Sequence, residues 1–144
     1  MSNLLVQNIK HTNNTTAITV DSSAQMTVKS DGGATTTSLQ QGLAKCWFQI
    51  TGVSTASLND SLNVSSFNDE GTGNYKITYS NNMSNTTYSF SDGSAWNVGS
   101  TFSTYSGTDK DEILTSTLEI YHVNTSDSAT DANLSMGSIH GDLA

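Results

Sequence analysis

The chain has 144 residues with five lysines, no arginine and no proline, and Ser, Thr and Asn together fill about two-fifths of it. Thirteen carboxylates leave a formal charge of −8 and a pI near 4.4, which excludes a phosphate-facing surface, because nucleic-acid binding draws most of its affinity from Lys and Arg. Hydrophobic content of 34% and charged content of 12% lie between those of an ordinary globular domain and a polar low-complexity segment, and the 8% of aromatic residues favours a folded chain with few catalytic groups.

The N-terminus, Met1-Ser2-Asn3-Leu4-Leu5-Val6, lacks the basic and apolar regions of a signal peptide. Nothing approaches the roughly 20 apolar residues of a membrane span, so a soluble protein without a membrane partner is expected. Residues 1–38 read as short alternating pieces, Ala17-Ile18-Thr19-Val20 and Gln25-Met26-Thr27-Val28, between the turn signals Asn13-Asn14 and Asp31-Gly32-Gly33. So few apolar side chains can hardly bury a core alone. This arm is therefore expected to serve attachment and oligomerisation, packing on the remainder of the chain, 39–144, or on other copies of itself.

Thr37 to Leu43 is the one plausible short helix. Lys45 to Ile50 follows as a central strand with Cys46, Phe48 and Ile50 on one face. Leu58 to Phe67 presents Leu58, Leu62 and Val64 at even positions, and Asn68-Asp69-Glu70-Gly71-Thr72-Gly73 reads as a turn. Tyr75 to Ser80 has the cleanest alternation, with Tyr75, Ile77 and Tyr79 on one side, as in a half-buried antiparallel strand. Met83 and Tyr88-Ser89-Phe90 supply another strand that Asp92-Gly93 closes, and Ser94 to Asp111 reads as a long loop with a short strand. Glu112 to Val123 predicts a long strand with Leu114, Leu118, Ile120 and His122 on one face, before a weakly alternating Asn133–Ile139. Strands at about ten-residue spacing with ample turn chemistry predict an all-β protein, an antiparallel β-sandwich of jelly-roll type behind a short-stranded N-terminal arm.

Chemistry is sparse. Cys46, the single cysteine, sits in an apolar run as an inert thiol. His11, His122 and His140 show no triad spacing, and His122 reads as a strand residue at a sheet face. The carboxylates Glu70, Glu112 and Glu119 do not mark a glycosidase pair. Asp109-Lys110-Asp111-Glu112 reads as a solvated turn; as a cation loop it lacks the glycine and the glutamate spacing of an EF-hand. Gly71-Thr72-Gly73 lacks the lysine of a phosphate loop, and triplets such as Asn63-Val64-Ser65 follow from composition. No catalytic residue, metal or cofactor is expected. The aromatics Trp96, Phe102 and Tyr105, set in a Ser/Gly/Asn-rich tract, are the candidate recognition loop; the alternative is that they plug the core or a subunit seam.

One resemblance goes further. Thr36-Thr37-Ser38-Leu39-Gln40-Gln41-Gly42-Leu43-Ala44-Lys45-Cys46-Trp47, then Leu58-Asn59-Asp60-Ser61-Leu62-Asn63-Val64-Ser65-Ser66 with Asp69-Glu70-Gly71-Thr72-Gly73-Asn74-Tyr75, and the ending His140-Gly141-Asp142-Leu143-Ala144 resemble small tail-fibre-like virion structural proteins of bacteriophages, especially marine ones. Those carry "LQQGLAKxW", then "DSxNVSSxxDxGTGxY", and end near "HGDLA". The likeness runs from about residue 36 to the C-terminus, and Cys46 departs from it where a small apolar residue is expected. It implies a virion part, a homotrimer among other virion proteins of tail or capsid, and carries over no catalytic residue. With the acidic composition and the arm that needs partners, the leading expectation is a non-enzymatic fibre binding a host-surface glycan or protein, trimeric avidity multiplying weak contacts. A capsid decoration or head-fibre protein is the alternative in the same class, and a small polysaccharide depolymerase the alternative from another.

Overall fold

The computed structural model describes residues 7–22, 24–29, 36–95, 105–108 and 110–144. These are all-β: three antiparallel four-stranded sheets, one turn of helix and one 3-10 turn. The chain divides into two compact units, Met1–Leu43 and Ala44–Ala144.

The first unit holds β1 (Asn8–Lys10), β2 (Thr16–Val20), β3 (Met26–Lys29) and β4 (Thr36–Ser38), followed by α1 (Leu39–Gly42). The strands pair in chain order as a meander. Register aligns Ile9 with Ile18 and Ile18 with Val28, and Val20 with Met26, which collects the apolar side chains on one sheet face. The helix expected from Thr37 is shorter, because Thr36–Ser38 joins the sheet opposite β3; ladder pairing there outweighs local helical preference.

The second unit contains β5 (Cys46–Thr51), β6 (Ser57–Leu62), β7 (Val64–Gly71), β8 (Asn74–Tyr79), β9 (Ser89–Ala95), β10 (Tyr105–Gly107), a 3-10 turn at Lys110–Glu112, β11 (Thr117–Val123) and β12 (Leu134–His140). One sheet runs β6-β5-β12-β9 and the other β10-β11-β8-β7. Both feed one core. Cys46, Phe48, Ile50 and Ile139 come from the first, Tyr75, Ile77, Tyr79, Leu118 and Ile120 from the second, and Met83 joins them. Each fully buried Ile or Leu here contributes about 1.5–3 kcal/mol by removal from water. The alternations at 46–50 and 75–79 appear as expected, and β5 and β8 are interior strands.

Elsewhere the boundaries differ from expectation. Leu58–Phe67 is broken at Asn63, whose φ of 62° turns the chain out of one sheet and into the other. Asparagine tolerates this conformation better than most residues, and here its amide fastens the corner. Asn63 Oδ1 accepts the Asn81 backbone N–H at 2.7 Å, and its Nδ2 donates to the Asn81 carbonyl at 3.0 Å. Residues 68–71 belong to β7, so the expected turn shrinks to Thr72-Gly73, with Gly71 opposite Asn74. Asp92-Gly93 does not end a strand: seven consecutive pairs join β9 to β12, and that ladder overrides turn propensity. The long strand expected from Glu112 begins only at Thr117. A tight turn in which the Leu114 N–H donates to the Thr117 carbonyl precedes it, leaving Leu114 exposed while Leu118, Ile120 and His122 are buried.

Candidate functional site

Of the expected recognition loop, Trp96 and Phe102 lie outside the described residues. Tyr105 opens β10, where its backbone pairs with Val123; its side chain is likewise outside the description. Asp109 is outside it too, and Asp111 is exposed within the 3-10 turn. Among the described residues, no group of three His, Cys, Asp or Glu side chains is placed to hold a metal ion, and no helix is long and apolar enough to cross a membrane.

The structure instead assembles a buried polar network at the inner face of β11. His122 and Ser135 are both 0% exposed, one on each sheet, with His122 Nε2 2.9 Å from Ser135 Oγ. The Tyr75 ring meets the imidazole edge-on at 5.8 Å. Asp131 stands beside them: its Oδ1 accepts the Gly73 N–H at 2.7 Å and the Tyr75 hydroxyl at 3.1 Å. Burial raises the Tyr75 phenol above its usual range, and the Asp131 charge and hydrogen bond push the same way. The same physics isolates Cys46, whose thiol burial pushes up to about 12. Thiolate is then scarce at neutral pH, and a thiol-specific disulfide reagent is expected to label Cys46 only after denaturation; rapid labelling of the native protein would contradict its burial.

A hydroxyl beside an imidazole is the arrangement of an activated nucleophile. Ser135, however, is closed inside the core, so a substrate would have to enter between the sheets to meet it. His11 is exposed and His140 half-buried on β12, and neither joins the network.

Two surfaces frame this interior. On the outer face of the β11-containing sheet, Glu119 accepts hydrogen bonds from Asn74 Nδ2 at 2.8 Å and the Tyr121 hydroxyl at 3.0 Å, with Lys76 Nζ 3.6 Å away. Burial alone would raise the carboxyl pKa, yet these partners outweigh it and hold Glu119 below its ordinary range. On the outer face of the other sheet, Trp47 lies across from Leu62, and they are 37% and 47% exposed. Beside them Asn59 Nδ2 donates to Gln49 Oε1 at 3.4 Å and to Thr51 Oγ1 at 3.0 Å. An aromatic side chain next to fixed amide and hydroxyl groups is suited to recognition rather than to bond-making.

Sequence reading placed His122 on a sheet face but missed its partners. Ser135 and Asp131 lie in stretches whose composition is that of the whole chain, and Asp131 reaches Gly73 across 58 positions of sequence, so no local signal marks either. Comparison of the chain with protein-family models, with curated proteins and with solved structures finds no match.

Proposed function

We propose that the chain is a bacteriophage virion structural protein of tail-fibre type, displayed on the particle and acting by binding alone. In this reading the two sheets of 44–144 face each other as an antiparallel sandwich of jelly-roll type, and the first unit anchors and trimerises the protein. The observation that carries it is where burial lies. Every buried residue among those described belongs to 44–144, whereas no described side chain of the first unit is buried. A sheet that gathers Ile9, Ile18, Val20, Met26 and Val28 on one face and leaves Ile9 53% exposed cannot offset its own ordering entropy, and partner chains supply the missing cover. The resemblance in the segments around Leu39–Trp47, Asp60–Tyr75 and His140–Ala144 supplies the kind of assembly. The aromatics Trp96, Phe102 and Tyr105, together with the Trp47 face, are the groups assigned to contact a host-surface glycan or protein.

The purified protein is expected to run in solution near three times the 15.3 kDa chain mass, and imaging of labelled particles is expected to place it at the tail. A monomer at micromolar concentration removes the trimer. Density spread over the capsid lattice favours the decoration or head-fibre reading, and release of new reducing ends from host polysaccharide favours the depolymerase.

A further inference from the structure

We propose that His122 is an acid-operated latch between the two sheets of 44–144: neutral, it fastens them, and protonated, it loosens them. The inference rests on the interior geometry and stands whether or not the protein belongs to a virion.

His122 is carried by β11 and reaches across the core to Ser135 on β12, in the other sheet, at 2.9 Å. Both side chains are fully buried. The second ring nitrogen, Nδ1, is buried with no hydrogen-bond partner among the described residues. A neutral imidazole tolerates this, since a tautomer with a bare lone pair at Nδ1 leaves no donor stranded; an imidazolium has two N–H donors and needs two acceptors. Burial opposes the cation more strongly than Asp92 and Asp131, the charged groups that act on the ring, favour it. Tyr75 of β8 presents its ring, with its hydroxyl committed to Asp131. Asp131, ahead of β12, spends Oδ1 on Gly73 and Tyr75. Asp92 of β9 offers a carboxylate whose Oδ2 is buried and makes no hydrogen bond among the described residues. Glu119, three positions earlier on β11 and on its opposite face, spends its oxygens on Asn74, Tyr121 and Lys76.

Burial disfavours the cation; Asp92 and Asp131 oppose it, and burial prevails, so the folded-state pKa of His122 lies below the ordinary histidine value. The sign follows directly. Below the unfolded-state value of about 6.5 the unfolded chain binds a proton that the folded chain refuses, so stability is complete above that pH and falls beneath it, with an unfolding constant that rises up to about tenfold per pH unit. Because the His122–Ser135 contact joins the two sheets inside their shared core, the loss takes the form of separation of the core rather than local fraying.

The test is denaturant unfolding of the full chain between about pH 7.5 and 5, above the main range of carboxylate titration. Wild type is expected to lose stability across this window. His122→Gln, whose amide can still bond Ser135 but does not titrate, is expected to be flat. Asp92→Asn removes an anion facing the ring and is expected to steepen it. A flat wild-type profile, or an unchanged slope in His122→Gln, overturns the proposal. If His122→Gln does not fold, the histidine ring resonances of wild type decide. One ring that stays neutral until the native spectrum is lost supports the latch, and three rings that titrate within an intact native spectrum refute it.

Discussion

Gly73→Ala is expected to lose about 3 kcal/mol or more of stability, or to fail to fold, because two penalties coincide at one position. Gly73 has a φ of +68°, a region that glycine enters freely and side chains resist. A Cβ there would also lie 2.5 Å from the His122 carbonyl oxygen and 2.8 Å from both the backbone nitrogen and the carbonyl oxygen of Thr130. Those atoms cannot yield cheaply. The His122 N–H donates to the Gly73 carbonyl at 2.8 Å and the Thr130 N–H to the His122 carbonyl at 3.1 Å, so relief at Gly73 means breaking the contacts that hold the hairpin against β11. Gly93→Ala is the matching control. No atom lies within 4 Å of its added Cβ, and its effect should be within about 0.5 kcal/mol. Urea midpoints measure both, and equal midpoints would show that the approach of the 124–133 segment to the β7–β8 hairpin is looser than described.

The second large effect is expected at Asp131. Asp131→Ala removes the acceptor for the Gly73 N–H and the Tyr75 hydroxyl at once, and Tyr75 is 0% exposed. Stranding two inward donors costs about 2–4 kcal/mol, whereas Tyr75→Phe removes a donor together with its need for a partner and costs about 1 kcal/mol. The pair should therefore couple: in the double variant part of the Asp131→Ala loss is recovered, because one stranded donor is gone. A double-mutant cycle by denaturant unfolding reads the coupling, and strict additivity would mean that the hydroxyl finds another partner. The network also couples to the acid latch, since Asp131 is one of the two carboxylates that act on His122.

These expectations concern stability because the polar chemistry that the fold concentrates is internal. The outer faces carry Trp47 and Leu62, exposed on one sheet, and on the other Glu119, held by Tyr121, Asn74 and Lys76. Beneath them, the contact of His122 with Ser135 joins β11 to β12.

The all-β class and the half-buried strands were legible without a structure. Period-two alternation at Cys46-Phe48-Ile50 and Tyr75-Ile77-Tyr79 records which face each strand buries, and burial is a property that each residue carries in its own chemistry. The apolar content of 1–38 is sparse, and no described residue there is buried. Strand ends were less legible. Asp92-Gly93 and Asn68–Gly71 have turn composition yet lie inside strands, since a ladder of backbone hydrogen bonds to β12 or β8 is worth more than the local preference it overrides. The interior site was not legible at all. Ser135, Asp131 and Asp92 are ordinary polar residues in a chain full of them, and what makes them matter is long-range proximity to His122, Gly73 and Tyr75, which no local pattern encodes. Composition and periodicity thus determined the kind of fold and the acidic balance of the chain; the pairing of sheets, the corner at Asn63 and the burial of a titratable histidine were decided by tertiary contacts between residues more than ten positions apart.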